Sequence, residues 1–233
     1  VTDYDLLHAT WPPASLRSLG PFTLRDGGGG GKRVSAASVE GTPTDPELDT
    51  AEKHTDLFAV RPDQTDFDMV LADRGYELVD PTLILSCDVA ALTTPEPSPV
   101  SGFTVWPPLQ VQRDIWAEGG IGPARLAVMD RVTGPKTSIL GRAQDKPAGA
   151  AFVAIHGGTV MVHAVEVRAG LRRFGLATHM MRHAARWAQV RAATRIAVLV
   201  TEANTAAIAL YRGLGLTGGR CYHYRSKPKD TRP

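Results

Sequence analysis

Cysteine is nearly absent: 233 residues contain only Cys87 and Cys221. They are far apart and lack metal-knuckle spacing, so neither a disulfide framework nor a cysteine metal site is expected. No apolar run approaches the ~18 residues of a spanning helix. The first thirteen residues carry Asp3 and Asp5 and are broken at Pro12-Pro13. They lack the basic start and apolar stretch of a secretory leader. These absences predict a cytoplasmic protein without a membrane segment or a metal. Aromatic residues are sparse at 6%. What remains is ordinary: 43% apolar and 21% charged, which excludes disordered, collagen-like and coiled-coil chains. The length suits one large domain or two small ones.

Charge is unevenly placed. Between Glu40 and Asp88 stand 13 acidic residues against Lys53, Arg61 and Arg74, a net of −10 in a chain whose total is +2. From Val167 to Arg195 there is no Asp or Glu, but there are seven arginines: 168, 172, 173, 182, 186, 191 and 195. Such a block is either a solvated helix face or the footprint of a phosphate-bearing partner. Nucleic acid is not expected, because the net charge is weak and no aromatic platform interleaves the arginines.

Pro95, Pro97 and Pro99 mark a linker over 93–102, dividing an N-terminal lobe (1–92) from a domain over 103–226 and a tail over 227–233. The run Gly27–Gly31 reads as a flexible hairpin tip between strands at Phe22–Arg25 and Lys32–Val39. It is not a P-loop: counting from Gly31-Lys32, the first glycine position is Asp26 and the Ser/Thr position is Arg33. In the second half, Ser138–Ala143, Ala148–His156 and Val160–Val167 read as an antiparallel meander. A helix follows from Gly175 to Val190, with Leu176, Met180, Ala184, Trp187 and Ala188 on one stripe. Arg195–Val200 is β-branched and apolar, a buried strand. Asn204 or Thr205 caps a helix carrying Ala207, Leu210, Tyr211 and Leu214, which Gly215 ends. A last strand takes in Cys221–Arg225. Shifting the first half by 140 residues superposes Val60 on Val200, Thr65 on Thr205 and Gly75 on Gly215. Both stretches read strand, capped helix, glycine, strand, as a drifted duplication or as convergent patterning.

The chemistry-bearing segment is VEVRAGLRRFGLAT, Val165 to Thr178. A strand feeds a loop that opens a helix, and a helix's first turn exposes unpaired N–H groups suited to phosphate. Gly175 permits close approach of an anion, Ala177 keeps the next contact small, and the arginines add charge-assisted bonds. The minimal pattern [QR]-x-x-G-x-[GA] would arise by chance in roughly one chain in four, so order and spacing carry the weight. Together with NTAAIALYRGLGL at 204–216, the second half resembles the GCN5-related N-acetyltransferase (GNAT) superfamily. The ending Tyr222-His223-Tyr224-Arg225 resembles bacterial members with two GNAT-like halves.

The resemblance implies an α+β, three-layer α/β/α fold. Its mixed, mostly antiparallel sheet is flanked by helices, with a degenerate GNAT-like half at the N-terminus. It implies an acetyl-CoA-dependent N-acetyltransferase acting by direct attack of a primary amine in a ternary complex, with a non-catalytic acyl-CoA-binding sensor or scaffold as the alternative. The acceptor would be a small molecule rather than a protein, and the chain a monomer or homodimer. Backbone groups of Val165 and Val167 would pair with the pantetheine arm in a slot where two strands splay. Arg172 and the amides of Arg173, Phe174, Gly175, Leu176, Ala177 and Thr178 would hold the pyrophosphate. Asn204 would touch the arm near its thioester, and Tyr211 would protonate the leaving thiolate. Two family positions differ: Ala169 replaces a frequent proline and Arg173 a usual glycine. Glu166 and His163 are candidate bases, with Glu202 a third. Glu166 and His163 should face opposite sides of the strand unless a bulge intervenes. By the 140-residue shift Asn204 corresponds to Gln64 and Tyr211 to Leu71, so the N-terminal half lacks the thiolate acid. Its acidic surface would form one wall of the acceptor pocket and suit a cationic amine.

Overall fold

The computed structural model describes residues 2–228; Val1 and the 229–233 part of the expected tail lie outside the described residues. Helix α1 (Asp3–Thr10) is closed by a Thr2–Asp5 capping box and precedes the hairpin β1 (Ser15–Leu19) and β2 (Phe22–Asp26). A helical turn α2 (Lys32–Ser35) and a short β3 (Ser38–Val39) follow. Next come α3 (Asp45–Glu52), β4 (Leu57–Val60), α4 (Thr65–Asp73) and the long β5 (Glu77–Asp88). A turn α5 (Val89–Leu92) and a 3₁₀ turn (Pro99–Ser101) lead to β6 (Gly102–Val105), α6 (Gln110–Glu118) and α7 (Pro123–Arg131). The expected meander is β7 (Lys136–Ala143), β8 (Lys146–His156) and β9 (Thr159–Val167). The chain ends in α8 (Leu176–Gln189), β10 (Arg195–Thr201), α9 (Thr205–Gly213) and β11 (Thr217–Ser226).

The main sheet has eight strands in the order β4-β11-β5-β10-β9-β8-β7-β6. Every neighbouring pair is antiparallel except β9 with β10. This is the mixed, mostly antiparallel α+β sheet that was expected. On one face α8 lays its stripe, with Leu176, Met180, Ala184 and Ala188 buried against Ile139, Val153 and Val198. On the other, α1, α6 and α7 bury Leu7, Ile115, Trp116 and Val128 against Ala150, Phe152 and Tyr222. A smaller core of Phe22, Phe58, Phe67 and Leu71 sits under the three-stranded sheet β1-β2-β3.

The two halves interleave. The 140-residue shift carries α4 onto α9 residue for residue, β4 into β10 and β5 onto β11. Strand β11 pairs with β4 and β5, and β5 pairs in turn with β10. The order β4-β11-β5-β10 is therefore unchanged, read backwards, when the two repeats are exchanged. Linker residues 93–102 end in β6 of the same sheet, so they do not separate one sheet from another.

The glycine run departs from expectation. Lys32–Ser35 is helical and only Ser38–Val39 is strand. The glycines are packed: a Cβ at Gly30 would lie 2.6 Å from Val128 Cγ2 on α7, and Gly31 has φ +95°. Val34, fully buried, anchors the turn. The absence of side chains here admits a helix; it does not make a hairpin tip.

Candidate active site

Strands β9 and β10 run together only from Arg195↔Thr159 to Val198↔Val162. Beyond that β10 stays with β5 as far as Thr201↔Thr82, while β9 stays with β8 as far as Val167↔Gly149. The strands therefore splay. The divergence starts at a bulge in β9: Phe152 faces His163 and Ala150 faces Glu166, leaving one extra residue on β9, and Ala164 has φ +50°. Trp116 Nε1 donates to Ala164 O at 2.8 Å and fixes the bulge. Past it, Arg168 N–H donates to Ala148 O (2.9 Å). Strand alternation then turns the N–H and C=O of Val165 and Val167 to the edge that β10 has left. One of these groups is already engaged, since Arg172 Nε donates to Val167 O at 3.0 Å.

The loop after β9 leaves a run of backbone amides unpaired among the described residues. Arg173 (φ +67°) and Gly175 (φ +73°) are both left-handed, and Gly175 is the N-cap of α8. Glycine takes that conformation without cost. His179 N–H is the first to join the helix ladder, on Gly175 O. Among the described residues, the amides of 173–178 donate to no backbone acceptor. Arg172, Arg173, Phe174 and Gly175 are exposed, whereas Leu176 is buried in the core.

Across the splay, Asn204 caps α9, its Oδ1 accepting from Ala207 N–H at 3.1 Å. Tyr211, one face-stripe on, is 7% exposed, and its hydroxyl has no hydrogen bond to the described residues. Burial, then the nearby Glu166 carboxylate, push its pKa up to about 12. Glu166 is half-buried against Gly119, where a Cβ would lie 2.5 Å from its Cδ. Desolvation raises its pKa, with Arg172 and Arg125 opposing.

Between the diverging strands, on the face of α1, α6 and α7, lies a cavity of about 400 Å³. Ala164 of the bulge lines it on one arm of the splay and Thr201 on the other; Trp11, Arg33, Arg125 and Tyr222 close the rest. Its N-terminal wall is thus the packed glycine loop and the turn after it.

Comparison with known proteins agrees with this geometry. Residues 106–216 match the model of the acetyltransferase (GNAT) family. Residues 106–216 are a GNAT domain. Its family is one of acyl transfer. No curated protein matches the chain. Among solved structures, a GCN5-related N-acetyltransferase from Kribbella flavida shares 19% identity at TM-score 0.70, covering 96% of this chain and 93% of that one. A functionally unknown conserved protein from Staphylococcus epidermidis shares 8% identity at TM-score 0.68, with 98% of each chain covered. A tandem GNAT protein from the clavulanic acid biosynthesis pathway shares 14% identity at TM-score 0.57, covering 90% of this chain and 79% of that one. These likenesses show a common fold.

Within the GNAT domain, the residues read from sequence do not all converge. Val165, Val167 and the 172–178 loop lie along the splayed edge, and the Glu166 carboxylate adds to the raised pKa of Tyr211. The bulge is the exception that strand parity allowed for, and its extra residue brings His163 and Glu166 to the same face. His163 is sealed into the core. It is 3% exposed, held by Thr10 Oγ1 at 3.0 Å from Nε2, and stacked on Trp11 with ring centroids 4.9 Å apart. Burial, then Arg33, drive its pKa well below the ordinary histidine value. Glu202 is tied to Arg220 at 2.9 Å. The acidic lobe does not make an acidic cavity either. Asp45, Asp49 and Glu52 clasp Arg74, Asp68 meets His223 and Arg225, and Glu40 meets Arg61. Of the acids only Asp80 reaches the cavity, paired with Lys32 at 2.8 Å. Trp11, Arg33 and Arg125, which do line it, carried no signal in the sequence, because chain segments 100 residues apart meet there.

Proposed function

We propose that the chain is an acetyl-CoA-dependent N-acetyltransferase. The observation that carries this is the free edge of β9, which ends at the left-handed Gly175 loop and opens onto a separate cavity. A pantetheine arm along Val165 and Val167 would complete the missing strand pairing. The loop amides of 173–178, with Arg172 and Arg173, would receive the pyrophosphate. Because Arg172 already holds Val167 O, its side chain must let go of that carbonyl as the arm enters. Asn204 keeps its Oδ1 on the helix and offers only its amide nitrogen to the arm. Acetyl-CoA supplies the activated acyl group as a thioester.

The acceptor amine would sit in the cavity and approach through the bulge. As its nitrogen bonds to the acyl carbon and the carbon–sulfur bond breaks, one amine proton must leave. Glu166 is the available base, directly or through water, and its raised pKa brings it nearer the task. The Val165 N–H, on the edge that β10 has left, would hydrogen-bond the charge developing on the carbonyl oxygen. Tyr211 serves the departing sulfur. A phenol at about 12 donates a hydrogen bond to a thiolate, but full transfer to the conjugate of a thiol near ~8.5 is uphill. Its role is charge stabilisation, worth ~1.5–3 kcal/mol for a hydrogen bond to a charged group.

Calorimetric titration with acetyl-CoA, CoA and a nucleotide lacking the pantetheine arm tests the proposal. One site per chain that requires the arm is expected. Absence of binding would refute it. Saturation at two sites would show that the N-terminal repeat, with Leu71 in place of Tyr211, also binds.

A further inference from the structure

Taking the cavity as the acceptor site proposed above, we infer that the acceptor amine also carries a carboxylate, and that the Arg33 guanidinium receives it. The cavity's charge is the starting point. Its walls hold Arg33, Arg125 and Lys32, against Asp80 alone, and Asp80 is already paired with Lys32. Arg33 stands on the turn after the glycine loop, pressed into the protein. Its Nε donates to Tyr222 Oη at 3.2 Å, Tyr224 is a second hydroxyl neighbour, and Tyr224 Oη donates to Tyr222 Oη at 3.3 Å. Among the described residues no carboxylate lies within ion-pair distance of Arg33; its neighbours are the neutral hydroxyls of Tyr222 and Tyr224.

Arg33 is partly buried, and a cation drawn from water without a counter-ion is costly in proportion to its desolvation. Arginine's planar fork is suited to a carboxylate, which can accept two parallel N–H bonds. The neighbouring tyrosine hydroxyls orient the guanidinium but supply no negative charge, so a carboxylate is the counter-ion it lacks. A cationic amine bearing no anion would meet net positive charge here; a zwitterion brings the missing counter-ion with it. At about 400 Å³ the cavity lies at the small end of ligand pockets, which suits an amino acid rather than a peptide. The amino group would then be at the end lined by Ala164 and Thr201, toward the donor slot, with the carboxylate at the far end.

The test is thiol release from acetyl-CoA by the full chain. The acceptors are the twenty L-amino acids, their primary amides, phosphoethanolamine, glucosamine 6-phosphate and spermidine. At least one amino acid is expected to exceed its own amide by ~10-fold or more in kcat/KM, with spermidine inert. Arg33→Lys and Arg33→Gln should raise the KM of that amino acid by a similar factor, leaving the acetyl-CoA Kd unchanged and the amide unaffected. Equal rates for acid and amide, or preference for a phosphorylated amine or spermidine, would overturn the inference. Should both variants fail to fold, thermal shift of the wild-type protein with N-acetyl-amino acids against N-acetyl amides decides it. Stabilisation confined to the carboxylates supports the inference, and its absence overturns it. That arm needs neither turnover nor donor. Loss of acetyl-CoA binding in calorimetry would therefore refute the acetyltransferase proposal separately.

Discussion

The Glu166 carboxylate helps hold the proton on Tyr211. Each is desolvated, and the carboxylate's charge adds to the phenol's raised pKa. Glu166 acts as a base only when ionised, so kcat/KM should fall as pH drops through its raised pKa. Glu166→Gln should remove that acid limb and lower the rate by ~10²-fold or more; a pH–rate profile reads both. Tyr211, at about 12, contributes no alkaline limb in the usual assay range. Tyr211→Phe should lower kcat by ~10–100-fold, the loss of one hydrogen bond to a charged sulfur, with acetyl-CoA affinity retained. The histidines act on stability instead. His163 is held neutral by burial, and His8 is lowered to about 4 by burial, then Arg25. Below pH ~6.5 the unfolded chain binds protons that these two refuse when folded, so stability should decline as pH falls from 7 toward 5. A urea midpoint measured across that range checks the sign, and His163→Gln should shallow the slope.

At the scale of elements, the bulge in β9 and the left-handed start of α8 do the positioning. The bulge is held from outside its own strand, by the Trp116 indole on Ala164 O. Trp116→Phe keeps most of the buried ring and removes the donor. It should cost ~1–3 kcal/mol in urea unfolding, because the carbonyl is left unsatisfied. Acceptor KM should rise more than acetyl-CoA Kd, since the cavity lies beside Ala164. Gly175, at φ +73°, tests the other element. Gly175→Val forces a β-branched residue into a left-handed conformation, a strain of ~1–2 kcal/mol. It should weaken acetyl-CoA binding through the displaced loop amides, read by calorimetry. The start of α8 was legible in sequence because Gly175 and Ala177 stand between an apolar strand and an amphipathic stripe, in order with the capped helix at 204–216. The bulge was not, because its cause is an indole from α6, 48 residues earlier in the chain.

For the whole molecule the decisive feature is interleaving. Because β5 lies between β10 and β11, and β4 covers the far edge of β11, the GNAT domain borrows two strands from before the linker. Residues 103–228 expressed alone should not fold: β10 would lose its partner β5, and β11 both of its neighbours. Co-expression with residues 1–102 should restore a soluble complex, and size-exclusion chromatography of the two preparations reads the difference. The linker at 93–102 is a change of composition rather than a line along which the protein separates.

The sequence by itself determined the meander, the helices α8 and α9 with the strands after them, the 140-residue correspondence and the loop that opens α8, but not β6 or α7. Each depends on neighbours along the chain: hydrophobic period, a capping asparagine, a glycine where φ must be positive. It could not place His163 relative to Glu166, because one extra residue in a strand reverses which side chains share a face. It could not find the cavity either. Trp11, Arg33, Arg125 and Tyr222 have no common periodicity, and their meeting depends on how the N-terminal repeat threads its strands into the sheet. The acidic first half misled for a related reason. Charge counted along a chain ignores ion pairing, and only the tertiary structure decided that Arg74, His223 and Arg225 would engage those carboxylates while Arg33 kept none.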